Sequence, residues 1–197
     1  MSSIIKILGI CLLLFSFSEP VNDQKVIVID AGHGGKDSGA KTEFVNEKDH
    51  TLTIAREIKS LAKGSDVKIV LTRTDDAFVS LEERVKTINK VNADQVISLH
   101  LNKSKSSKDN GYEFYVSNKN ENFKESLALA TKLSKNLPDD IAFNKIARAN
   151  FYLLRNIDKP ATLIDLGYLS NQKDAFFIAS EVGQKKIARS IWSALSK

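Results

Sequence analysis

At 197 residues, with 42% hydrophobic and 27% charged side chains, the chain has the composition of one ordinary globular domain with a proper core. Wholesale disorder and collagen-like repeats are excluded. The formal net charge of +5 is mixed along the sequence, and its one basic cluster, Lys103 to Asp109 (KSKSSKD), lacks the interleaved aromatics of a nucleic-acid reader. No nucleic-acid partner is expected.

The N-terminus differs in kind. Lys6 precedes an apolar stretch from Ile7 to Phe15, and Ser16-Phe17-Ser18 has the small-x-small form of a cleavage site, so residues 1–18 read as a secretory signal peptide. A bilayer-spanning helix needs about 20 apolar residues, and no stable membrane span is expected after cleavage. The only cysteine, Cys11, lies inside this leader, preceded by an isoleucine where lipid attachment would want a small residue. Cleavage takes Lys+Arg from 29 to 28 and leaves Asp+Glu at 24, a net charge of +4. The exported chain then has no thiol, so any metal is held by His, Asp or Glu.

Val26 to Asp30 reads as the first strand, opening into a Gly-rich loop that presents His33 (VIVIDAGHGGKDSGA). Asn46 caps a helix to about Lys63, with Leu52, Ala55, Ile58 and Ala62 on one face and Gly64 ending it. Val67 to Arg73 is a second strand. Ser80 with Glu83 forms a capping box for a helix from Leu81 to about Val91. Gln95 to Leu101 and Gly111 to Val116 are further strands, followed by a helix from about Asn122 to Asn136, stopped by Pro138. Two more β runs are predicted at Phe151 to Leu154 and Ala161 to Leu166, and the last thirty or so residues are helical, with Ile187, Ile191 and Leu195 at helical spacing. Alternating strands and helices with short connections predict a single α/β domain, a mostly parallel twisted sheet flanked by helices. Ligand sites in such folds lie beyond the carboxyl ends of strands.

Two of the three histidines, His33 and His100, end β segments, and Glu47 sits in the first turn of the helix after the His33 loop. Singly, each histidine reads as a loop or core residue. Together, two imidazoles and a carboxylate from separate elements make a metal trio that leaves one position open on zinc, as a hydrolytic site requires. His50, three residues after Glu47, is the competing ligand; di-metal bundles need several such pairs, so His50 is expected to face solvent beside Asp49. Asp30 and Asp37 are expected to bond loop amides. Asp165, in the apolar run ATLIDLGYLSN, either pairs with a charge such as Arg155 or faces an activated water.

These segments, IDAGHGGKDSGA, NEKD, VLTRTDD, LEERVKTIN, ADQVISLHLN, GYEFY, LLRN and PATLIDLGYLSN, resemble in order and approximate spacing the zinc-dependent N-acetylmuramoyl-L-alanine amidases of the type-3 amidase family. The likeness spans residues 25 to 196. It implies hydrolysis of the amide between N-acetylmuramic acid and the L-alanine of the stem peptide, with Zn2+ as cofactor and peptidoglycan as partner. It also implies that His33, Glu47 and His100 are the zinc ligands, Asn102 a substrate-binding residue and Asp165 the catalytic residue, standing where the family usually has a glutamate. Leu101 is a lesser departure, in place of a small residue. The connections Lys103 to Asn110 and Ser117 to Phe123 are too short for the blocking helix of some enlarged members, so a minimal, open, monomeric catalytic domain at residues 19–197 is expected. Its place is the periplasm or cell envelope. The rival reading keeps the fold and the zinc but loses turnover through Asp165, leaving a wall-binding regulator.

Overall fold

Both faces of the first strand are apolar, and β1 (Lys25–Ala31) is accordingly buried from Ile27 onward. The computed structural model describes residues 24–197; the leader expected at residues 1–18 lies outside them. After β1 come α1 (Glu47–Leu61), β2 (Val67–Leu71), α2 (Leu81–Lys90), β3 (Gln95–Asn102), β4 (Tyr112–Val116) and α3 (Phe123–Ser134). The chain continues through β5 (Phe143–Arg148), α4 (Tyr152–Asn156), β6 (Ala161–Tyr168), α5 (Gln172–Ala179) and α6 (Glu181–Leu195).

The six strands form one sheet in the order β2-β1-β3-β6-β4-β5. Every neighbouring pair is parallel except β4 with β6, which is the α/β architecture the alternation predicts. Helices cover the two faces unequally. Ile27, Ile29, Ile97, Leu99 and Ile164 pack with Leu52, Ala55 and Ile58 of α1 and with residues of α3 and α6 in the larger core. Val28, Val96 and Ala161, on the opposite face by strand alternation, form a smaller core with Ile88 of α2, with Ala93, and with Leu153, Leu154 and Ile157 in and after the short α4. Leu81 of α2 and Tyr152 of α4 also line a cleft that reaches His100 and Asp165.

Local signals hold where they rest on capping chemistry. Ser80 Oγ accepts from Glu83 N and the Glu83 carboxylate accepts from Ser80 N, a complete capping box. Asn46 occupies the N-cap of α1, but its side chain donates to Asp49 Oδ2 at 3.0 Å instead of capping the backbone. Two expectations fail. The run Phe151 to Leu154 is not a strand: Phe151 is an N-cap and Leu153 and Leu154 are the buried side of α4, because one turn of helix buries an apolar pair as well as a strand does. The sixth strand is instead β5, an exposed edge strand whose sequence FNKIAR carries no apolar alternation.

Candidate active site

Beyond β1 the backbone turns through the left-handed region: His33 has φ of +60°, and Gly34, Gly35 and Gly39 are also positive. A non-glycine residue there costs about 1–3 kcal/mol and persists only when its surroundings hold it. Two arginines do so. Arg84 of α2 donates through Nη2 to His33 O at 2.6 Å and through Nη1 to Ala31 O at 2.7 Å. Arg73, just after β2, donates through Nε to Ala31 O and through Nη2 to Gly32 O, each at 2.9 Å. Asp76 accepts from Gly35 N at 2.8 Å. Asp30, expected to bond loop amides, instead lies 1% exposed against Arg84 Nη1 at 2.6 Å, with Thr72 Oγ1 and Ser98 Oγ also donating to it. Burial pushes its pKa up, but the Arg84 charge and these hydrogen bonds outweigh burial and leave it below the ordinary 3.8.

The loop, α1 and β3 bring His33, Glu47 and His100 together, with one ligand atom from each lying within 4.8 Å of the others. Glu47 Oε1 is 3.0 Å from His33 Nε2 and 2.8 Å from His100 Nδ1. Its other oxygen accepts from Ala40 N at 2.7 Å, which fixes the carboxylate plane. His33 Nδ1 lies 2.8 Å from Asp37 Oδ2, a contact that orients the ring with Nε2 towards the cluster. Asp37 also accepts from Gly39 N, the loop-amide role expected of it. Burial opposes the charge on Glu47, yet the bonds from His100 and His33 bring its pKa down to about 2, while Glu47 and Asp37 raise His33 against its own burial. Two glycines make room for this group. A Cβ on Gly32 would meet the His100 ring at 2.5 Å, and one on Gly39, at φ +64°, would meet Glu47 Oε2 at 2.5 Å.

Asp165 of β6 is the register partner of His100 and accepts from Asn102 Nδ2 at 3.1 Å. No ion pair to Arg155 forms; that guanidinium stacks over Tyr152 and bonds Asn150 O. Burial, reinforced by the Glu47 and Glu113 carboxylates, raises the Asp165 pKa to about 6. His50 departs from its expected exposure: α1 turns it towards α6, where Gln184 Nε2 lies 2.7 Å from His50 Nδ1. It is not in the His33 cluster, which among the described residues is the one group of this kind. Over the cluster lies a cleft of about 560 Å³, walled by Phe78 and Leu81 on one side and Phe151, Tyr152 and Leu163 on the other.

A family model described as N-acetylmuramoyl-L-alanine amidase matches residues 27–197. The chain belongs to the N-acetylmuramoyl-L-alanine amidase family. It is 31% identical to the germination-specific N-acetylmuramoyl-L-alanine amidase of Bacillus subtilis strain 168, over 96% of this chain and 91% of that protein. It is 36% identical to the probable cell wall amidase LytH of Staphylococcus saprophyticus, over 90% of this chain but 59% of that longer relative. Among solved structures, the catalytic domain of the amidase CwlV from Bacillus (Paenibacillus) polymyxa var. colistinus superposes with a TM-score of 0.81 at 36% identity, covering 87% of this chain and 96% of that one. An N-acetylmuramoyl-L-alanine amidase of Clostridium difficile 630 gives the same TM-score at 33% identity, covering 87% and 94%.

In this amidase the fold thus gathers His33, Glu47, His100, Asp165 and Asn102 at one end of the sheet. Sequence reasoning did not assign Arg73, Arg84 and Asp30 to the site. Their signal was present in the arginines of VLTRTDD and LEERVKTIN, but an arginine serving backbone carbonyls leaves no periodic trace.

Proposed function

We propose that this amidase binds one zinc ion through His33 Nε2, Glu47 Oε1 and His100 Nδ1 and hydrolyses the amide joining N-acetylmuramic acid to the L-alanine of the stem peptide. Metal-bound ligands lie about 2.0–2.2 Å from zinc, so three of them sit roughly 3–3.5 Å apart. Separations of 3.0 and 2.8 Å from Glu47 to the histidines fit that spacing after a small outward adjustment. The thiol-free donor set leaves the fourth position open. Zinc at this position supplies Lewis-acid chemistry, acidifying water at neutral pH and polarising a carbonyl.

The chain's own residues do the rest. Asp37 holds His33 in the tautomer that presents Nε2, and Ala40 N and Leu101 N hold Glu47. Asn102 Nδ2 occupies Asp165 Oδ2, which leaves Oδ1 to take a proton from the attacking water and deliver it to the leaving alanine nitrogen. A pKa of about 6 suits that exchange near neutral pH. The apolar walls of the cleft exclude bulk water from the reacting groups. The leader expected at residues 1–18 supports a reading of export, with a monomer working at the cell envelope.

One observation carries this reading: in a chain of the amidase family, one cleft is lined by His33 and His100 of the His-Glu-His group and by Asp165, a carboxylate that burial raises to about 6, into the range of a general base. Incubating zinc-loaded protein with a defined muropeptide and weighing the products by mass spectrometry tests it. The expected products are a disaccharide with a free lactyl carboxylate and a peptide with a free N-terminal alanine. Cleavage within the peptide or the glycan would refute it.

A further inference from the structure

Three register relationships set four ionisable side chains in one row across the sheet. His100 of β3 pairs with Asp165 of β6, Asp165 with Glu113 of β4, and Glu113 with Lys145 of β5. Residues directly opposite on neighbouring strands point to the same face. The row therefore runs across the open face, from the proposed metal ligands to the edge of the sheet. Its outer half is continuous with the cleft, because Phe151 of the cleft wall meets the Tyr115 ring at a centroid distance of 5.3 Å.

Glu113 is 2% exposed and fully partnered. The hydroxyls of Tyr115 and Tyr168, Asn144 Nδ2 at 2.7 Å and Lys145 Nζ at 3.2 Å all address its carboxylate. Three of these converge on Oε1 and the Tyr115 hydroxyl addresses Oε2, so the carboxylate is held within the protein rather than offered to a ligand. Its effect falls on Lys145. That side chain is 51% exposed, and its ammonium group forms an ion pair with Glu113 at 3.2 Å that leaves donors to spare among its three protons. A surface lysine normally sacrifices much of a contact to its own rotamer freedom, whereas one pinned at its tip by a buried carboxylate is preorganised. Lys145 stands at the far end of the row, half exposed on the edge strand β5.

Resting on the amidase reading, we propose that Lys145 is a subsite for a carboxylate of the leaving peptide. From β6 to β5 is two strand spacings, about 10 Å, which an extended peptide covers in about three residues at 3.3–3.6 Å each. The carboxylate recognised thus belongs to the second or third residue of the stem. Only the peptide arm can supply it, since the lactyl carboxyl of the sugar is consumed in the scissile amide.

The test uses two muropeptides that differ only in carrying free carboxylates or carboxamides at the second and third stem residues, with kcat/KM measured for each on zinc-loaded protein. The wild type should favour the carboxylate form by about three- to tenfold, through KM more than kcat. Lys145→Met should bring the ratio to about one, Lys145→Arg should restore it, and Lys145→Glu should invert it. A fold defect lowers both rates together and leaves the ratio unchanged, so the ratio separates recognition from stability. A wild-type ratio near one, or the wild-type ratio persisting in Lys145→Met, overturns the subsite while the amidase reading stands. Cleavage of neither substrate overturns both.

Discussion

Arg84 Nη2 donates to the carbonyl of His33 at 2.6 Å while Nη1 of the same guanidinium pairs with Asp30 at 2.6 Å. One buried side chain thus ties the left-handed histidine to a buried carboxylate beneath the sheet's open face. A lysine cannot replace this fork, because it lacks the planar, divergent donors. Arg84→Lys should therefore weaken zinc binding by about 10- to 100-fold, measured by competition with a chelator. Arg84→Ala should also lower the stability of the metal-free protein by about 3–5 kcal/mol, since Asp30 is left charged and unpaired. Unchanged zinc affinity in both variants would show that the loop holds His33 unaided.

The same pair sets an acid limit. The pKa of Asp30 is lowered in the fold, so the unfolded chain takes up its proton first as pH falls. The stabilisation is fully present above the unfolded value near 4 and is lost as pH drops through the lower folded value. Chemical denaturation of metal-free protein from pH 6 to pH 2.5 should show this loss, and Asp30→Asn should flatten that part of the curve from a lower starting stability. An equally steep decline in Asp30→Asn would assign the acid sensitivity to other carboxylates.

Asp37 is a cleaner probe of ligand orientation, because its side chain is about half exposed and little packing depends on it. Asp37→Ala should reduce zinc affinity by about 10- to 100-fold with little change in thermal unfolding of the metal-free form. Equal zinc affinity would mean that the His33 tautomer is fixed without its partner.

The architecture was legible in the sequence wherever an element is apolar on a strict period or capped by its own side chains. β1, β3, β6, α1 and α2 are of this kind, and the gathering of His33, Glu47 and His100 follows from their placement at strand ends and a helix start. What was not legible depends on partners distant in sequence. β5 has no sequence signal because an edge strand needs no apolar alternation, and the α4 run reads equally as a strand because four apolar-rich residues fit either state. Asp30 reads as a loop residue until Arg84 and Ser98, 54 and 68 positions away, are seen against it.

His50 shows the same limit. Its side chain reaches Gln184 of α6, and Gln184 Nε2 also donates to Ile178 O at 3.0 Å. His50→Ala should leave one zinc per chain and lower stability by about 1 kcal/mol, the ordinary worth of a hydrogen bond between helices. Loss of zinc in this variant, by elemental analysis after dialysis, would move the metal group along α1.

In the proposed mechanism Asp165 exchanges the proton for hydrolysis at the His33, Glu47 and His100 group. The most direct measurement is the turnover of a defined muropeptide by the wild type, Asp165→Ala and Asp165→Glu, with zinc content determined on the same samples. One zinc per chain is expected in all three, with a rate about 10²- to 10⁴-fold lower for Asp165→Ala and turnover kept or raised for Asp165→Glu. A wild type without turnover beside an active Asp165→Glu would make the natural protein a wall-binding form impaired by one methylene, and equal rates in the wild type and Asp165→Ala would contradict the assignment outright.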